Sequence, residues 1–131
     1  MILLDTDSCA LLIRGGSERL DAEVRSIPPR EVCISEVTRS ELLYELARHP
    51  HAAKLGELVH AFLARVRSLP WSGEAASHYA EIRVGLESRG ESIGLLDQMI
   101  AAHARSLGMP LATGDAKRFR RIAGLEVLDW G

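Results

Sequence analysis

The sequence predicts an α/β fold, a central parallel β-sheet flanked by α-helices in three layers. Short, mainly apolar runs recur along the chain, at Met1–Leu4, Glu31–Ile34 and Met109–Thr113. Strands buried on both faces read this way. Stretches with apolar residues at helical spacing lie between them. Strands that alternate with helices imply parallel pairing through crossovers. Carboxylates also stand at the ends of these runs, the edge where such sheets bind ligands.

Taken in order, Met1–Leu4 reads as a buried strand that stops at Asp5-Thr6-Asp7-Ser8. Ser8–Arg14 is a short helix ended by Gly15-Gly16. Ser17 caps a second helix, with Leu20, Val24 and Ile27 on one face and Pro28-Pro29 as its stop. Glu31–Ile34 is the second strand. A helix from about Val37 to Arg48 follows, and Pro50 opens another that runs to about Arg67. The stripe Leu55, Leu58, Val59, Phe62, Leu63 and Val66 has helical spacing. Ser68–Trp71 is a short strand and Gly73–Gly90 a helix. Asp97–Leu107 is a helix closed by Gly108, with Ile100, Ala101 and Ala104 facing inward. Met109–Thr113, Asp115–Ile122 and Leu125–Leu128 complete the pattern as strand, helix and strand.

Bulk properties narrow the function. A length of 131 residues suits a single domain with one sizeable core. Hydrophobic residues at 47% and charged residues at 26% exclude a disordered or collagen-like chain. The net charge of -2 argues against purely non-specific binding of nucleic acid. A local basic patch masked by clustered acids stays compatible with it. Cys9 and Cys33 read as buried free thiols. The apolar start ends at Asp5, too short for a signal peptide or a membrane span, so a cytoplasmic protein is expected.

Four acids stand where a parallel sheet would bring them together. Asp5 ends the first strand, Glu41 lies early in the helix after the second, Asp97 opens its helix, and Asp115 follows the strand ending at Thr113. Magnesium takes hard oxygen ligands, often one or two carboxylates plus waters and substrate phosphates. A bound divalent ion also serves phosphodiester hydrolysis. Capping accounts for each acid singly: Thr38-x-x-Glu41 matches a capping box, Asp97 and Asp115 suit N-caps, and Asp5 suits a turn.

Longer segments resemble a known family. MILLDTDS at Met1–Ser8, CISEVTRSELLY at Cys33–Tyr44, GESIGLLDQMIAAHARSLG at Gly90–Gly108 and LATGDAKRFRRIAGLEVLDW at Leu111–Trp130 are similar to four motifs of the PIN-domain toxins called VapC. The resemblance implies a PIN-like fold over residues 1–131, with magnesium or manganese as cofactor. It implies endonucleolytic cleavage of RNA, transfer or ribosomal, as the toxin of a type II toxin–antitoxin system. Asp5, Glu41, Asp97 and Asp115 then carry catalysis and the metal, with Asp5 and Asp97 as its main ligands. Thr6 would orient Asp5 or a water, and Thr113 would support the fourth acid. The implied partners are an antitoxin whose C-terminal segment fills the active-site groove and a second copy in a homodimer. Two departures stand out: Asp7 where many relatives have asparagine, and Glu45 where many have glycine nearby.

Lys117, Arg118, Arg120 and Arg121 form a basic run beside Asp115. It is either a solvated face or a phosphate clamp. The five histidines lack metal-ligand spacing, and His103 is expected to pack inside. The stripe just described, with Leu42, Leu43 and Leu46, is core or else an antitoxin groove between those two helices. Trp71 and Trp130 read as packing residues. Two rivals remain. Asp5-Thr6-Asp7 also resembles the start of haloacid-dehalogenase-type phosphatases, with Asp5 as nucleophile and Asp7 as acid, but the lysine that family expects is missing. A PIN fold kept as a non-catalytic binding module is the other, and the four acids argue against it.

Overall fold

The computed structural model describes residues 1–131. Its elements are β1 (Ile2–Leu4), α1 (Thr6–Arg14), α2 (Glu18–Arg25), β2 (Val32–Ser35), α3 (Glu36–Arg48), α4 (Ala53–Arg65), β3 (Arg67–Leu69), α5 (Gly73–Ser88), α6 (Leu95–Leu107), β4 (Leu111–Thr113), α7 (Ala116–Phe119) and β5 (Val127–Asp129). All pairings are parallel, in the order β3-β2-β1-β4-β5. The chain winds outward from β1 through β2 and β3, then returns to β1's other side with β4 and β5. The direction of winding therefore reverses between β1 and β4, where open α/β sheets bind ligands beyond their carboxyl ends.

The two faces of the sheet explain the unbroken apolar runs. Side chains alternate along a strand. Leu3, Cys33 and Leu111 point to one face, where they meet Ile82 and Leu86 of α5, Ile100, Ala101 and Ala104 of α6, and Phe119. Ile2, Leu4, Val32, Ile34 and Ala112 point to the other, against Cys9 of α1, Leu20 of α2, Leu42 of α3 and Val59 of α4. With both faces covered, every position of the three central strands β1, β2 and β4 is buried. Each fully buried Leu or Ile contributes about 1.5–3 kcal/mol. Both cysteines are free and buried. Trp71 and Trp130 pack as expected, and the Trp71 indole N–H donates to the Met99 carbonyl at 3.0 Å.

Several boundaries move from their expected places. Helix α1 starts at Thr6 because Asp5 is its N-cap, with a side chain that accepts from the Ser8 N–H. Helix α4 starts at Ala53, not Pro50, and ends at Arg65 so that Arg67 can enter β3. A 3-10 turn at Pro29–Glu31 precedes β2. Strand β5 begins at Val127, and α7 is a single turn. Gly15 and Gly108 end α1 and α6 in the left-handed region, at φ 67° and 65°, which glycine adopts without penalty. No helix is long and apolar enough to cross a membrane.

Candidate active site

The carboxyl edge of β1 and β4 collects the acids. Asp5 follows β1 directly and is almost fully buried, at 1% exposure. Its Oδ1 accepts the Ser8 N–H at 3.1 Å, and its Oδ2 accepts the Thr113 hydroxyl at 2.8 Å. The cap and the site are thus the same residue. Thr113, the last residue of β4, also receives the Asp115 N–H on its hydroxyl at 2.9 Å. It ties the first acid to the fourth, more than the support for Asp115 expected of it.

Glu41 lies in the second turn of α3. The cap of that helix is Ser35, whose hydroxyl accepts the Val37 N–H at 3.1 Å. The expected capping box is therefore absent, and Thr38 is buried inside the helix. Glu41 takes its orientation from Thr6, whose hydroxyl lies 2.7 Å from Oε1 and 3.0 Å from the Thr38 hydroxyl. The Thr6 hydroxyl thus bonds to Glu41, where the resemblance implied that it would orient Asp5 or a water.

Asp97 sits in the first turn of α6, whose N-cap is Gly94. Asp115 occupies the N-cap of α7 without making a side-chain cap bond. Capping thus accounts for the side chain of Asp5 alone among the four.

The centre of the cluster is a cation. The Arg118 guanidinium lies 3.0 Å from Asp97, 3.3 Å from Asp7, 3.5 Å from Asp115 and 3.7 Å from Asp5. It also stacks over the Phe119 ring at 5.0 Å. Arg118 was legible in sequence only as one member of a basic run, and nothing there pointed it inward. The other three, Lys117, Arg120 and Arg121, are exposed. Asp7, in the first turn of α1, adds a fifth carboxylate to the edge.

Burial sets the electrostatics. It pushes the Asp97 carboxyl up to about 6, with Arg118 pulling down and Asp7, Asp5 and Glu41 pushing further up. Burial likewise raises Asp5 against the hydrogen bonds from Ser8 and Thr113, and raises Glu41 against the bond from Thr6. Burial opposes the charge on Arg118, but Asp97, Asp7 and Asp115 together hold it above the ordinary range. Glu41 makes no ion pair with Arg118, yet it feels both Asp5 and Asp7. The edge is short of positive charge even with Arg118 present.

Hard oxygen donors in such excess suit a magnesium-like ion, which would lower every raised pKa at once. As placed, no three His, Cys, Asp or Glu side chains close on one point, and the acids surround a guanidinium. The buried Nε of Arg118 has no hydrogen-bond partner. The donor set therefore fits a divalent ion in chemistry, and Arg118 holds the cationic position. None of the five histidines joins the cluster.

A cleft of about 680 Å³ opens beside the acids, between α1, α3 and the start of α6. Thr6, Asp7 and Glu41 line it together with Val37, Leu42, Tyr44, Leu96 and Met99. Of the two readings of the stripe on α3 and α4, core or groove, Leu42, Leu46, Leu55, Val59, Phe62 and Leu63 take the first. Tyr44 and Leu96 are largely exposed along it.

Known proteins share both this sequence and this fold. The family model for the PIN domain matches residues 2–125. The tRNA(fMet)-specific endonuclease VapC of Shigella flexneri is 33% identical over 128 residues, which span 98% of this chain and 96% of that protein. Among solved structures, DNA-bound VapBC of Salmonella typhimurium superposes with a TM-score of 0.90 at 32% identity, over the whole of both chains. VapBC2 of Rickettsia felis, bound to a DNA fragment from its promoter, also superposes at 0.90, with 27% identity. The fold and the acidic edge define a PIN domain. The chain belongs to the PIN-domain family, in its VapC ribonuclease branch.

Proposed function

We propose that this chain is a magnesium-dependent endoribonuclease, with manganese as an alternative ion, and the toxin of a type II toxin–antitoxin pair. Residues 1–131 act as one PIN unit in the cytoplasm. The observation that carries the reading is the convergence of Asp5, Asp97 and Asp115 on one charge-deficient edge, with Glu41 coupled to them. The relative from Shigella flexneri supports an RNA substrate, and its name points to transfer RNA. The two VapBC complexes support an antitoxin partner and a dimeric assembly. The antitoxin's C-terminal segment would occupy the cleft between α1 and α3.

A divalent ion held here would supply charge neutralisation on the scissile phosphate and would make a water more acidic. Asp5 and Asp97 would hold it: Asp5 is buried and fixed by two hydrogen bonds, and Asp97 is half-buried at the same edge. Glu41, turned by Thr6, completes the ligand set or takes up a water's proton. Its raised pKa suits the second task. Thr113 keeps the Asp5 carboxylate aimed and, through its bond to the Asp115 N–H, keeps the fourth acid at the edge. Lys117, Arg120 and Arg121 would meet RNA phosphates.

The reading is tested with Asp97→Asn. Antitoxin-free protein incubated with Mg2+ or Mn2+ should cut a transfer RNA pool, and the variant should not. The variant should also lose growth arrest on induction while keeping a parental circular dichroism spectrum. Burying the Asp97 charge costs the fold more than Arg118 returns, as its raised pKa shows, so the neutral amide is tolerated. Full toxicity of the variant would overturn the assignment. An intact RNA pool with the parent protein would favour a binding module.

A further inference from the structure

The placement of Arg118 has a consequence for how the site is loaded. One guanidinium touches Asp5, Asp7, Asp97 and Asp115, and Asp5 and Asp97 are the two acids that would hold the ion. A guanidinium and a dication within a few ångströms repel strongly in a half-buried site. Both draw on the same carboxylates, so each weakens the other's hold. The buried Nε lies 3.5 Å from Asp115 Oδ2 and makes no hydrogen bond, so the ion-pair network leaves one donor unsatisfied. A permanent structural arginine in such a place normally has its donors satisfied.

We propose that Arg118 is an internal counter-ion that a divalent metal must displace, so that metal loading at this site is an exchange of cations. The proposal rests on the metal-dependent reading above. Without metal, the guanidinium screens the acids from one another and holds α7 against α1 and α6. Metal entry replaces a single charge by a double one and releases the side chain from the edge. Asp7 is part of the device, because it accepts from Arg118 at 3.3 Å and is itself exposed. An asparagine there would hold the guanidinium less firmly. The exchange lets the chain fold with its acids compensated before any metal arrives. It also weakens apparent metal affinity, because the ion must compete with a tethered cation.

The test uses the whole, RNA-free protein and two readouts. In titration calorimetry with Mn2+, Arg118→Met should bind about tenfold more tightly than the parent, because the competitor is gone. Arg118→Lys should fall between them. In 15N spectra that resolve arginine Nε–H groups, the Arg118 signal should be protected from solvent exchange without metal. It should exchange like an exposed arginine once Mg2+ is added. Parental Mn2+ binding with equal or weaker binding by Arg118→Met would overturn the exchange alone and leave the metal reading standing. An Arg118 signal still protected at saturating Mg2+ would do the same, whether or not the variants fold. No Mn2+ binding by parent or variants would overturn both.

Discussion

Thr6 shows how a single hydroxyl sets the chemistry of this edge. It sits in the first turn of α1, beside Asp5, yet its bonds run to Thr38 and Glu41 on α3. The contact crosses between two helices and fixes a carboxylate that has no cationic partner. Thr6→Val keeps the shape and removes the bond. RNA cleavage should fall by about 10- to 100-fold, the usual effect of losing an orienting partner of a metal-site ligand. Stability should fall by about 1–3 kcal/mol, because the buried Thr38 hydroxyl loses its partner, while the Glu41 carboxylate retains access to water. Cleavage at the parental rate would mean that Glu41 needs no orienting partner. The acids themselves were legible in the sequence, since strand ends and helix starts share an edge in a parallel sheet. The direction of Thr6 and the inward turn of Arg118 were not. Both depend on rotamers and on how helices distant in sequence meet, which no local pattern encodes.

At the scale of elements, the joint between α3 and α6 is the most sensitive. Ser35 ends β2, caps α3 and lies 2.8 Å from Nδ1 of the buried His103 on α6. The Pro70 carbonyl favours the charged form of the same ring, against the burial. In the neutral tautomer with its proton on Nε2, Nδ1 accepts the Ser35 hydroxyl. Burial pushes the His103 pKa down from its ordinary 6.5. The unfolded chain then binds a proton that the native chain refuses, and stability falls as pH drops through about 6.5. Asp5, Glu41 and Asp97 act in the opposite sense, because their folded pKa values are raised and acid favours them. The comparison of parent with His103→Gln cancels that contribution. In urea titrations, the parent's advantage over the variant should shrink between about pH 8 and about pH 5.5. A gap independent of pH would show that His103 does not titrate in this range. Ser35→Ala loses the cap and leaves Nδ1 of the imidazole unpaired, and should cost about 1–3 kcal/mol. Most elements were legible from apolar period and caps, Ser17 and Gly108 among them. The boundaries that moved did so for tertiary reasons, such as the entry of Arg67 into β3 beside β2.

For the whole molecule, the question is how a chain of net charge -2 holds RNA at an edge with five carboxylates. The sheet order concentrates those acids between β1 and β4, which leaves positive charge elsewhere on the surface to do the holding. Arg118 faces the acids, so a charge reversal there would disturb the site as well as the binding. Lys117, Arg120 and Arg121 are exposed and follow the same strand end. Each phosphate contact contributes about 0.7–0.9 to the slope of log affinity against log salt. Reversing all three to glutamate, in an Asp97→Asn background so that RNA survives, should make that slope shallower by about 2. Affinity at low salt should fall with it, and the same three reversals made with Asp97 intact should not lower Mn2+ affinity, since none of the three touches the acids. A parental slope would mean that this stretch is only solvated surface and that RNA is held from another side of the cleft. The distinction matters because a clamp on α7 would fix the strand over Asp115 and Asp97, whereas contacts from α1 or α3 would bring it across Glu41.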